Sequence, residues 1–379
     1  MSAVEPPARR ALRTGQNGIY GFADRTSHEP SRDRGASDRT MKVLRVLVLV
    51  HKHLVPPADA SASDAEQAEW KTEYDVMSAL QKLGHEVKPL GLQDDLSVAR
   101  TAIKDWEPDI IFNLLEAFDN IVMFDHNIVS FLEMLRMPYT GSNARGLMLA
   151  RDKSLSKKLM AYHRIPMPEF AVIRRGQKVR ASKRLPFPLI VKSLTEEASL
   201  GISQASVVDT EEKLKERVAF IHDSIGTDAL VEQFIEGREL YVGVMGNHRL
   251  RVFPIWEMQF TKMPNGVHHI ATERVKWSVK YQEKHGIQTS ELKDLPEDQR
   301  QRIQHLCRRV YRALELSGYA RIDLRMDKDG KAYVLEANPN PQIARGEDFA
   351  ESAKRAGLSY EALLQRIVML GLQWRPGHV

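Results

Sequence analysis

The feature that most constrains the fold of this chain is a nearly continuous apolar run, MKVLRVLVLV at residues 41–50. Such a run is typical of a parallel strand that is buried on both faces of its sheet. The next segment, EWKTEYDVMSALQKLGHEVKPLGL, predicts a helix that stops at Gly84 and then a second strand, and DWEPDIIFNLL predicts a third. Alternating strands and helices indicate a doubly wound α/β domain that reaches about residue 138.

This α/β segment lacks two common nucleotide-binding motifs. No G-x-G-x-x-G follows its first strand, and no G-x-x-x-x-G-K-[ST] occurs anywhere in the 379 residues. In those motifs, glycines let backbone N–H groups approach phosphate oxygens at the start of a helix. The sequence therefore argues against a Rossmann dinucleotide site and against a P-loop.

Composition indicates a globular protein and narrows its partners. Hydrophobic residues make up 42% of the chain and charged residues 28%, and the formal net charge is +5. That charge is small for the length, and basic and aromatic residues are not interleaved, so we expect no nucleic-acid partner. The single cysteine, Cys307, excludes a disulfide within the chain and favours a reducing cytoplasm. No apolar run approaches the ~18 residues of a membrane span, so we expect no membrane partner.

The first forty residues differ from the rest of the chain. They contain seven Arg and five acidic residues together with Ser, Gly and Pro, and they show neither a helical nor a strand period. We therefore predict a disordered basic leader at residues 1–40. An Arg-rich leader that contains Ser is also typical of a transit peptide, but the five acids argue against one. A simpler alternative is that Met41 is the true start, since the first strand begins directly after it.

A second informative segment is ARIDLRMDKDGKAYVLEANPNP, at residues 320–341. Two strand-like stretches flank Asp327–Gly330, whose Asp-Gly ending is a strong hairpin signal. Glu336 and Asn338 are two residues apart, so both project from one face of the second strand, where we expect Asp323 of the first strand to meet them. Two carboxylates and an amide suit Mg²⁺, which takes hard oxygen ligands and leaves room for waters and phosphates. The alternative is a hairpin with scattered polar residues near its turn.

This hairpin resembles the metal-binding hairpin of the ATP-grasp superfamily, specifically of the D-alanine:D-alanine ligase-like carboxylate–amine ligases. In that family E-x-N begins thirteen residues after the Asp of R-[IV]-D, and Glu336 stands at that distance from Asp323. The resemblance extends, in the family's order, over most of the chain from Met41 onward. It implies an α/β N-terminal domain followed by an ATP-grasp fold of two α+β lobes. ATP would lie between the lobes, and Mg²⁺ or Mn²⁺ would bind Asp323, Glu336 and Asn338.

The resemblance also implies domain boundaries. They are residues 41–138 for the N-terminal α/β domain, 139–235 for the central lobe, and 236–379 for the C-terminal lobe with the metal hairpin. The final segment, ESAKRAGLSYEALLQRIVMLGLQW, has an apolar helical period, which predicts helices that pack on the C-terminal sheet.

The implied nucleotide site is assembled from four segments. The family's D-K-x-x-x-K helix is resembled by RDKSLSKKLM, and a short strand that carries a second lysine is resembled by PLIVKS. The family's loop over the phosphates is resembled by EEASLGISQASVV, and its link between the two lobes is resembled by LVEQFIEGRELYVGVMG. A lysine on its long side chain can pair with a phosphate, and a carboxylate can accept hydrogen bonds from ribose hydroxyls. The alternative for any single lysine is a solvated surface residue. The implied contacts are Lys153 and Lys192 to the phosphates, Ser199 and Gly201 in the loop, the backbone near Glu232 and Phe234 to the adenine, and Glu239 to the ribose.

Two further cations are implied in catalysis. Lys276, in the family's substrate-covering loop, would reach the transferred phosphate, and Arg321 would contact the oxyanion of a tetrahedral intermediate. Both suit a reaction in which ATP phosphorylates a carboxylate and an amine attacks the acyl phosphate, because negative charge develops in each step. We therefore expect an ADP-forming carboxylate–amine ligase. The alternatives are a phosphotransferase on the same scaffold and a nucleotide-binding regulatory protein without turnover.

The segments that would recognise the substrates depart from the family. Its usual G-x-S-x-E-R-E-V-S after the first strand is replaced by HKHLVPPADASASDAE. Glu116, at the end of the third predicted strand, would hold a substrate ammonium or else lie in solvent. Glu347 stands nine residues after Asn338, where the family has a serine that receives the second amino acid's carboxylate, and a carboxylate there would repel one. Arg345, close by, would suit an acid instead.

These departures predict a product other than D-alanyl-D-alanine. We expect small-molecule or peptide carboxylate and amine substrates, and a second substrate with a basic or neutral group in place of a free carboxylate. Homodimers are common in the resembled family, although no residue of this chain by itself indicates one.

Overall fold

The computed structural model describes residues 42–376, apart from residues 181, 183, 196–200 and 265. The strands of this part of the chain are β1 Arg45–His51, β2 Glu86–Leu92, β3 Ile110–Asn113, β4 Phe170–Ile173, β5 Leu189–Ser193, β6 Val207–Val208, β7 Ala229–Gln233, β8 Arg238–Met245, β9 Arg251–Phe260, β10 Ile287–Glu291, β11 Tyr319–Met326 and β12 Ala332–Pro339. Its α-helices are α1 Ala62–Ala65, α2 Lys71–Lys82, α3 Leu96–Trp106, α4 Asp125–Met134, α5 Ala144–Arg151, α6 Lys153–Tyr162, α7 Glu211–Phe220, α8 Glu273–Trp277, α9 Val279–His285, α10 Glu297–Ala313, α11 Asp348–Arg355 and α12 Tyr360–Gln373. The predicted leader, residues 1–40, lies outside the described residues. Among the helices described, none has the length and apolar character needed to cross a lipid bilayer.

The first three strands form a parallel sheet in the order β2, β1, β3. As its apolar run predicted, β1 is buried on both faces. Val46, Val48 and Val50 pack on one side with α2, and Leu47 and Leu49 pack on the other with α4. The predicted strand, helix and strand pattern is confirmed. Because the strands are parallel, polar side chains at the carboxyl ends of β1 and β3 meet at one edge of the sheet.

The second sheet has four antiparallel strands in the order β4, β7, β5, β6. Helix α7 covers one face of it, where Leu214 and Val218 pack with Val191 and Val231. This sheet lies within the predicted central lobe.

The third sheet has five antiparallel strands in the order β10, β9, β8, β11, β12. Helix α10 lies across one face and buries Cys307 and Val310 against Ile322 and Leu324. Those two helix residues are three apart, so they fall on the same apolar face of α10. The sheet lies within the predicted C-terminal lobe, and the predicted domain boundaries themselves stay a prediction.

The last two helices pack on different sheets. In α11, Phe349 lies 5.3 Å from the ring centroid of Phe253 in β9. In α12, Leu364 and Ile367 belong to the apolar cluster that contains Val46 of β1. The prediction that the final helices pack on the C-terminal sheet is confirmed for α11, whereas α12 packs mainly on α2 and β3, within an apolar cluster that also contains Met245 and Phe253 of the five-stranded sheet. An apolar period identifies a buried face but does not identify the sheet that covers it.

Candidate active site

The hairpin predicted at residues 320–341 is present. β11 and β12 are antiparallel neighbours, with Asp323 opposite Glu336 and Arg321 opposite Asn338. Opposed residues of an antiparallel ladder share a face, and so do residues two apart along a strand, so these four side chains project from one face of the sheet. The structure therefore brings together the three predicted metal ligands and the predicted catalytic arginine.

Asp323 is the most enclosed member of this group, with 4% of its surface exposed. It accepts hydrogen bonds from Nε and Nη2 of Arg321, at 2.7 and 2.9 Å, and from Nδ2 of Asn338 at 2.9 Å. Burial raises the pKa of Asp323 against the opposing effect of Arg321, and Glu336 raises it further. The guanidinium of Arg321 also lies 4.8 Å from the ring centroid of Tyr241, so its orientation is set from two sides.

Glu336 faces a group of lysines. Burial would raise the pKa of Glu336, but Lys153, Lys276 and Lys192 lower it below the usual value. These lysines come from α6, α8 and β5, so three separate elements place positive charge around one carboxylate. The predicted phosphate ligands therefore converge on the predicted metal ligands.

The donors of the hairpin fit a magnesium ion. Asp323 and Glu336 supply carboxylate oxygens and Asn338 supplies an amide oxygen, which are the ligands Mg²⁺ takes before waters and phosphates complete its shell. Within the described residues, no cluster of three or more His, Cys, Asp or Glu side chains could hold a metal. Two carboxylates beside lysines suit a magnesium ion shared with a nucleotide better than a metal enclosed by protein.

A narrow cleft between the four-stranded and five-stranded sheets holds most of the predicted nucleotide contacts. The predicted residues that line it are Lys153, Lys192, Glu232, Phe234 and Glu239, followed at one end by Lys276 and the hairpin carboxylates. Ile190, Ile202 and Ile270 supply apolar wall. A cleft that combines an apolar wall with several charged groups suits a planar base joined to phosphates.

A buried charge cluster lies in the wall of this cleft. The carboxylate of Glu232 is 2.5 Å from Nζ of Lys157 and 2.9 Å from Nζ of Lys192, and 1% of Glu232 is exposed. Burial would raise the pKa of Glu232, but the two lysines lower it to about 2. Burial would likewise lower the pKa of Lys192, but Glu232 and other carboxylates raise it. Glu232 therefore keeps Lys192 charged and fixed in the cleft.

Lys157 is a residue that the sequence prediction missed. It is the second lysine of the D-K-x-x-x-K motif and follows Lys153 by four residues, so both lie on the same side of α6. Lys157 is buried, and its Nζ also donates to the carbonyl of Leu335 at 3.2 Å. The motif contained the signal, but spacing alone does not show that the second lysine is enclosed.

Two backbone N–H groups near Phe234 already donate hydrogen bonds within the protein. The N–H of Phe234 donates to the carbonyl of Pro188 at 3.0 Å, and that of Gln233 donates to Glu169 at 2.8 Å. A contact from Phe234 to an adenine is therefore left to its carbonyl oxygen. The ring of Phe234 lines the cleft, with its centroid 5.0 Å from that of His268.

Glu239 is held in place by Arg325 and Tyr241. Its Oε1 accepts from the Tyr241 hydroxyl at 3.0 Å, and its Oε2 accepts from Nη1 of Arg325 at 3.2 Å. Each carboxylate oxygen has capacity for a further hydrogen bond, so the predicted ribose contact fits beside these two. Arg325, which the sequence prediction also missed, donates to the carbonyls of Gly237 and His269 and so ties the link between the sheets to the following loop.

The predicted phosphate loop is seen only in part. Ser199 lies outside the described residues. Gly201 has a φ of +70°, in the left-handed region that favours glycine, and its carbonyl accepts a hydrogen bond from Arg217. The next residue, Ile202, lines the cleft, so Gly201 lies at the cleft's edge.

A second cavity, of about 880 Å³, adjoins the cleft at the hairpin. We call it the substrate cavity; Arg321, Asn338 and Trp277 are among its lining residues. Lys276 and Glu336 line both the cleft and the substrate cavity. A phosphate at this end of the cleft would therefore lie next to a molecule bound in the substrate cavity.

Of the three predicted substrate residues, the structure places two at the substrate cavity and one elsewhere. Glu116 and Glu347 both line the substrate cavity, and burial and the neighbouring Asp348 raise the pKa of Glu347. Arg345 is not brought to this site. Its backbone N–H is held by Asp75, and its exposed guanidinium instead donates to Glu361 at 2.9 Å.

Comparison with known proteins identifies the family. The family model described as "D-ala D-ala ligase C-terminus" matches residues 159–369. A D-alanine–D-alanine ligase of Desulforudis audaxviator is 32% identical over 304 residues, which cover 78% of this chain and 90% of that protein. The chain belongs to the D-alanine–D-alanine ligase family. A further relative, the uncharacterized protein y4sG of Sinorhizobium fredii, is 33% identical over 304 residues, covering 77% of this chain and 85% of that protein.

Solved structures of the family share the fold. The crystal structure of D-alanine–D-alanine ligase from Bacillus anthracis complexed with ATP has a TM-score of 0.67 at 22% identity, covering 87% of this chain and 98% of that one. The D-alanine–D-alanine ligase from Coxiella burnetii has a TM-score of 0.63 at 18% identity. The predicted fold, an N-terminal α/β domain followed by an ATP-grasp fold, is confirmed. This member of the D-alanine–D-alanine ligase family is an ATP-grasp ligase that forms a carbon–nitrogen bond.

Proposed function

We propose that this ligase uses ATP and Mg²⁺ to join a carboxylate to an amine through an acyl phosphate, with release of ADP. The observation that carries the proposal is the wall shared by the nucleotide cleft and the substrate cavity, which contains Lys276 and Glu336. Phosphoryl transfer requires the donor phosphate and the acceptor carboxylate to be held next to each other within a site that excludes water. Residues common to both spaces mark where that transfer would occur.

Lysines hold the nucleotide phosphates in this scheme. Lys153 and Lys192 supply positive charge in the cleft, and Lys192 keeps its charge because Glu232 is paired with it. The hairpin ligands would hold Mg²⁺, which supplies charge neutralisation at the phosphate oxygens when bound. Lys276, which lines both the cleft and the substrate cavity, would contact the transferred phosphoryl group.

Arg321 serves the second half of the reaction. It lines the substrate cavity while Asp323 fixes two of its nitrogens. When the amine attacks the acyl phosphate, the carbonyl oxygen becomes negative, and a cation already in position stabilises it without reorganising. The attack forms the C–N bond and gives a tetrahedral intermediate, which then collapses as the C–O bond to phosphate breaks, inorganic phosphate leaves and the nitrogen loses its proton. No covalent bond to the protein is required.

Glu347 and Asp348 govern the amine specificity that we propose. Both line the substrate cavity, and Asp348 accepts a hydrogen bond from the hydroxyl of Thr289. Two acids at this place would repel a free carboxylate on the incoming amine but accept a neutral or basic group. The proposed product is therefore not D-alanyl-D-alanine.

ATP turnover across a substrate panel tests this function. ADP release and product mass are measured together with Mg²⁺ for a set of carboxylic acids, each with and without pooled amines and amino acids. The proposal expects ADP only when an acid and an amine are both present, and a product mass equal to their sum less one water. A phosphorylated acceptor that accumulates without any amine would instead establish a phosphotransferase. A kinetic preference for D-alanine as the amine would contradict the proposed specificity.

A further inference from the structure

A third cavity, of about 400 Å³, lies at the carboxyl ends of β1 and β3. We call it the acidic cavity, because its lining includes Glu69, Glu73 and Glu116, whereas none of the described residues that line it is Lys or Arg. His51 and His53 are the other titratable side chains in the lining apart from Tyr319. The acidic cavity meets the substrate cavity along a wall that both share, which contains Glu116, Ala117 and Asn340.

Glu73 is the unusual member of the acidic cavity. It lies in the first turn of α2, exposes 4% of its surface, and its Oε2 has no hydrogen-bond partner. Burial, with a smaller contribution from Glu116, raises the pKa of Glu73 to about 7. A buried carboxylate oxygen without a partner costs folding free energy, and a cation that arrives with a ligand would remove that cost.

The nearest lysine in the sequence does not neutralise Glu73. Nζ of Lys71 lies 3.1 Å from Asp75 and 3.3 Å from Glu66, so Lys71 is already paired with two other carboxylates. The charge of Glu73 is therefore not balanced by a basic side chain of the described cavity lining.

We propose that the acidic cavity binds an ammonium or guanidinium group carried by the carboxylic acid substrate, with Glu73 as its main contact and Glu116 at the passage from the substrate cavity. The inference rests on the proposed function, since it places the reacting carboxylate of the same molecule beside Arg321. The chemical class is an amino acid or short peptide with a basic side chain. A cavity of this volume holds an arm of several carbon atoms, which is larger than the methyl group of alanine.

The expected preference for a charged ligand over a neutral one follows from the hydrogen bond that the ligand would form with Glu73. A hydrogen bond between a cation and a carboxylate is stronger than one between neutral groups, and a neutral isostere would leave Oε2 of Glu73 without a partner. Removing the charge from the ligand should therefore weaken binding by about 10- to 100-fold.

Calorimetric titration of the full chain, saturated with Mg²⁺ and a non-hydrolysable ATP analogue, tests this inference. The probes are matched pairs of similar shape, lysine against norleucine and arginine against citrulline, each as both enantiomers. For the unmodified protein we expect the charged member of a pair to bind about 10- to 100-fold more tightly. In Glu73→Gln that ratio should fall to near one while the affinity for norleucine is kept. Glu69→Gln, the same change at an exposed residue of the cavity, should keep most of the ratio.

Two results would overturn the inference. One is that no charged probe binds the unmodified protein more tightly than its neutral partner. The other is that Glu73→Gln, shown to be folded by a urea unfolding curve, keeps the full ratio. The titration measures binding and needs no turnover. If charged probes bind more tightly in the titration but no acid and amine pair forms ADP, only the ligase proposal is contradicted. ADP formation from acid and amine without charge preference would remove only this inference.

Discussion

Replacing Glu73 with glutamine is expected to change how stability depends on pH. Burial raises the pKa of Glu73 from 4.5 to about 7. The pKa of Glu73 is higher in the folded protein than in the unfolded chain. The protonated side chain therefore contributes its full stabilisation below about pH 4.5, and this stabilisation is lost as the pH rises through about 7. A pKa difference of about 2.5 corresponds to about 3 kcal/mol of unfolding free energy, which the ionised side chain costs at alkaline pH.

Glutamine keeps the size of the side chain but cannot ionise. Glu73→Gln should therefore gain stability relative to the unmodified protein as the pH is raised, by about 2 to 3 kcal/mol between about pH 5 and about pH 8. The assay is urea unfolding followed by fluorescence of the five tryptophans at both pH values. Glu69→Gln is the control, since Glu69 is exposed and should show no such trend. A stability difference that is the same at both pH values would refute the reasoning, because the carboxyl would then ionise equally in both states.

Further predictions concern the reaction and the charge cluster. Arg321→Lys should lower kcat by about 100- to 1000-fold with little change in KM for ATP, because a guanidinium positioned for the oxyanion is lost; an unchanged kcat would remove its role. Lys157→Met should lower the free energy of unfolding by about 3 kcal/mol, and adding Glu232→Gln should recover part of the loss, as thermal unfolding would show. Glu347→Ser should raise kcat/KM for D-alanine as the amine by at least about 10-fold, in an ADP-release assay, whereas no increase would remove Glu347 from amine selection. Chelation of Mg²⁺ should stop ADP formation without lowering the Tm of the protein measured without nucleotide.

Local signals predicted the hairpin well. The Asp-Gly turn and the two-residue spacing of Glu336 and Asn338 are short-range features, and they place both side chains on one face without knowledge of the rest of the fold. The position of Asp323 opposite Glu336 depends also on a β-bulge between Asp323 and Leu324, because the register from the turn alone would place Leu335 opposite Asp323. The predicted strand, helix and strand order of the first domain succeeded for the same reason, since a strand buried on both faces has to be apolar throughout.

Properties that depend on distant contacts were not predicted. The enclosure of Lys157 arises from β7, which follows α6 by many residues, and the loss of Arg345 from the site arises from Glu361 in the last helix. Glu73 shows the same limit, because a glutamate in the first turn of a helix is ordinarily a solvated residue. Glu73 lines the acidic cavity together with residues of the loops after β1 and β3, and no local pattern around Glu73 indicates those neighbours.

The most direct test of the proposed mechanism is the fate of oxygen atoms in the acid. Once an acid and amine pair is found, the carboxylate is labelled with ¹⁸O and the phosphate released during ligation is examined by mass spectrometry. An acyl phosphate predicts that each released phosphate carries an oxygen from the carboxylate, because the C–O bond to that oxygen breaks when the amine attacks. Unlabelled phosphate, with product formed at the normal rate, would contradict the central claim.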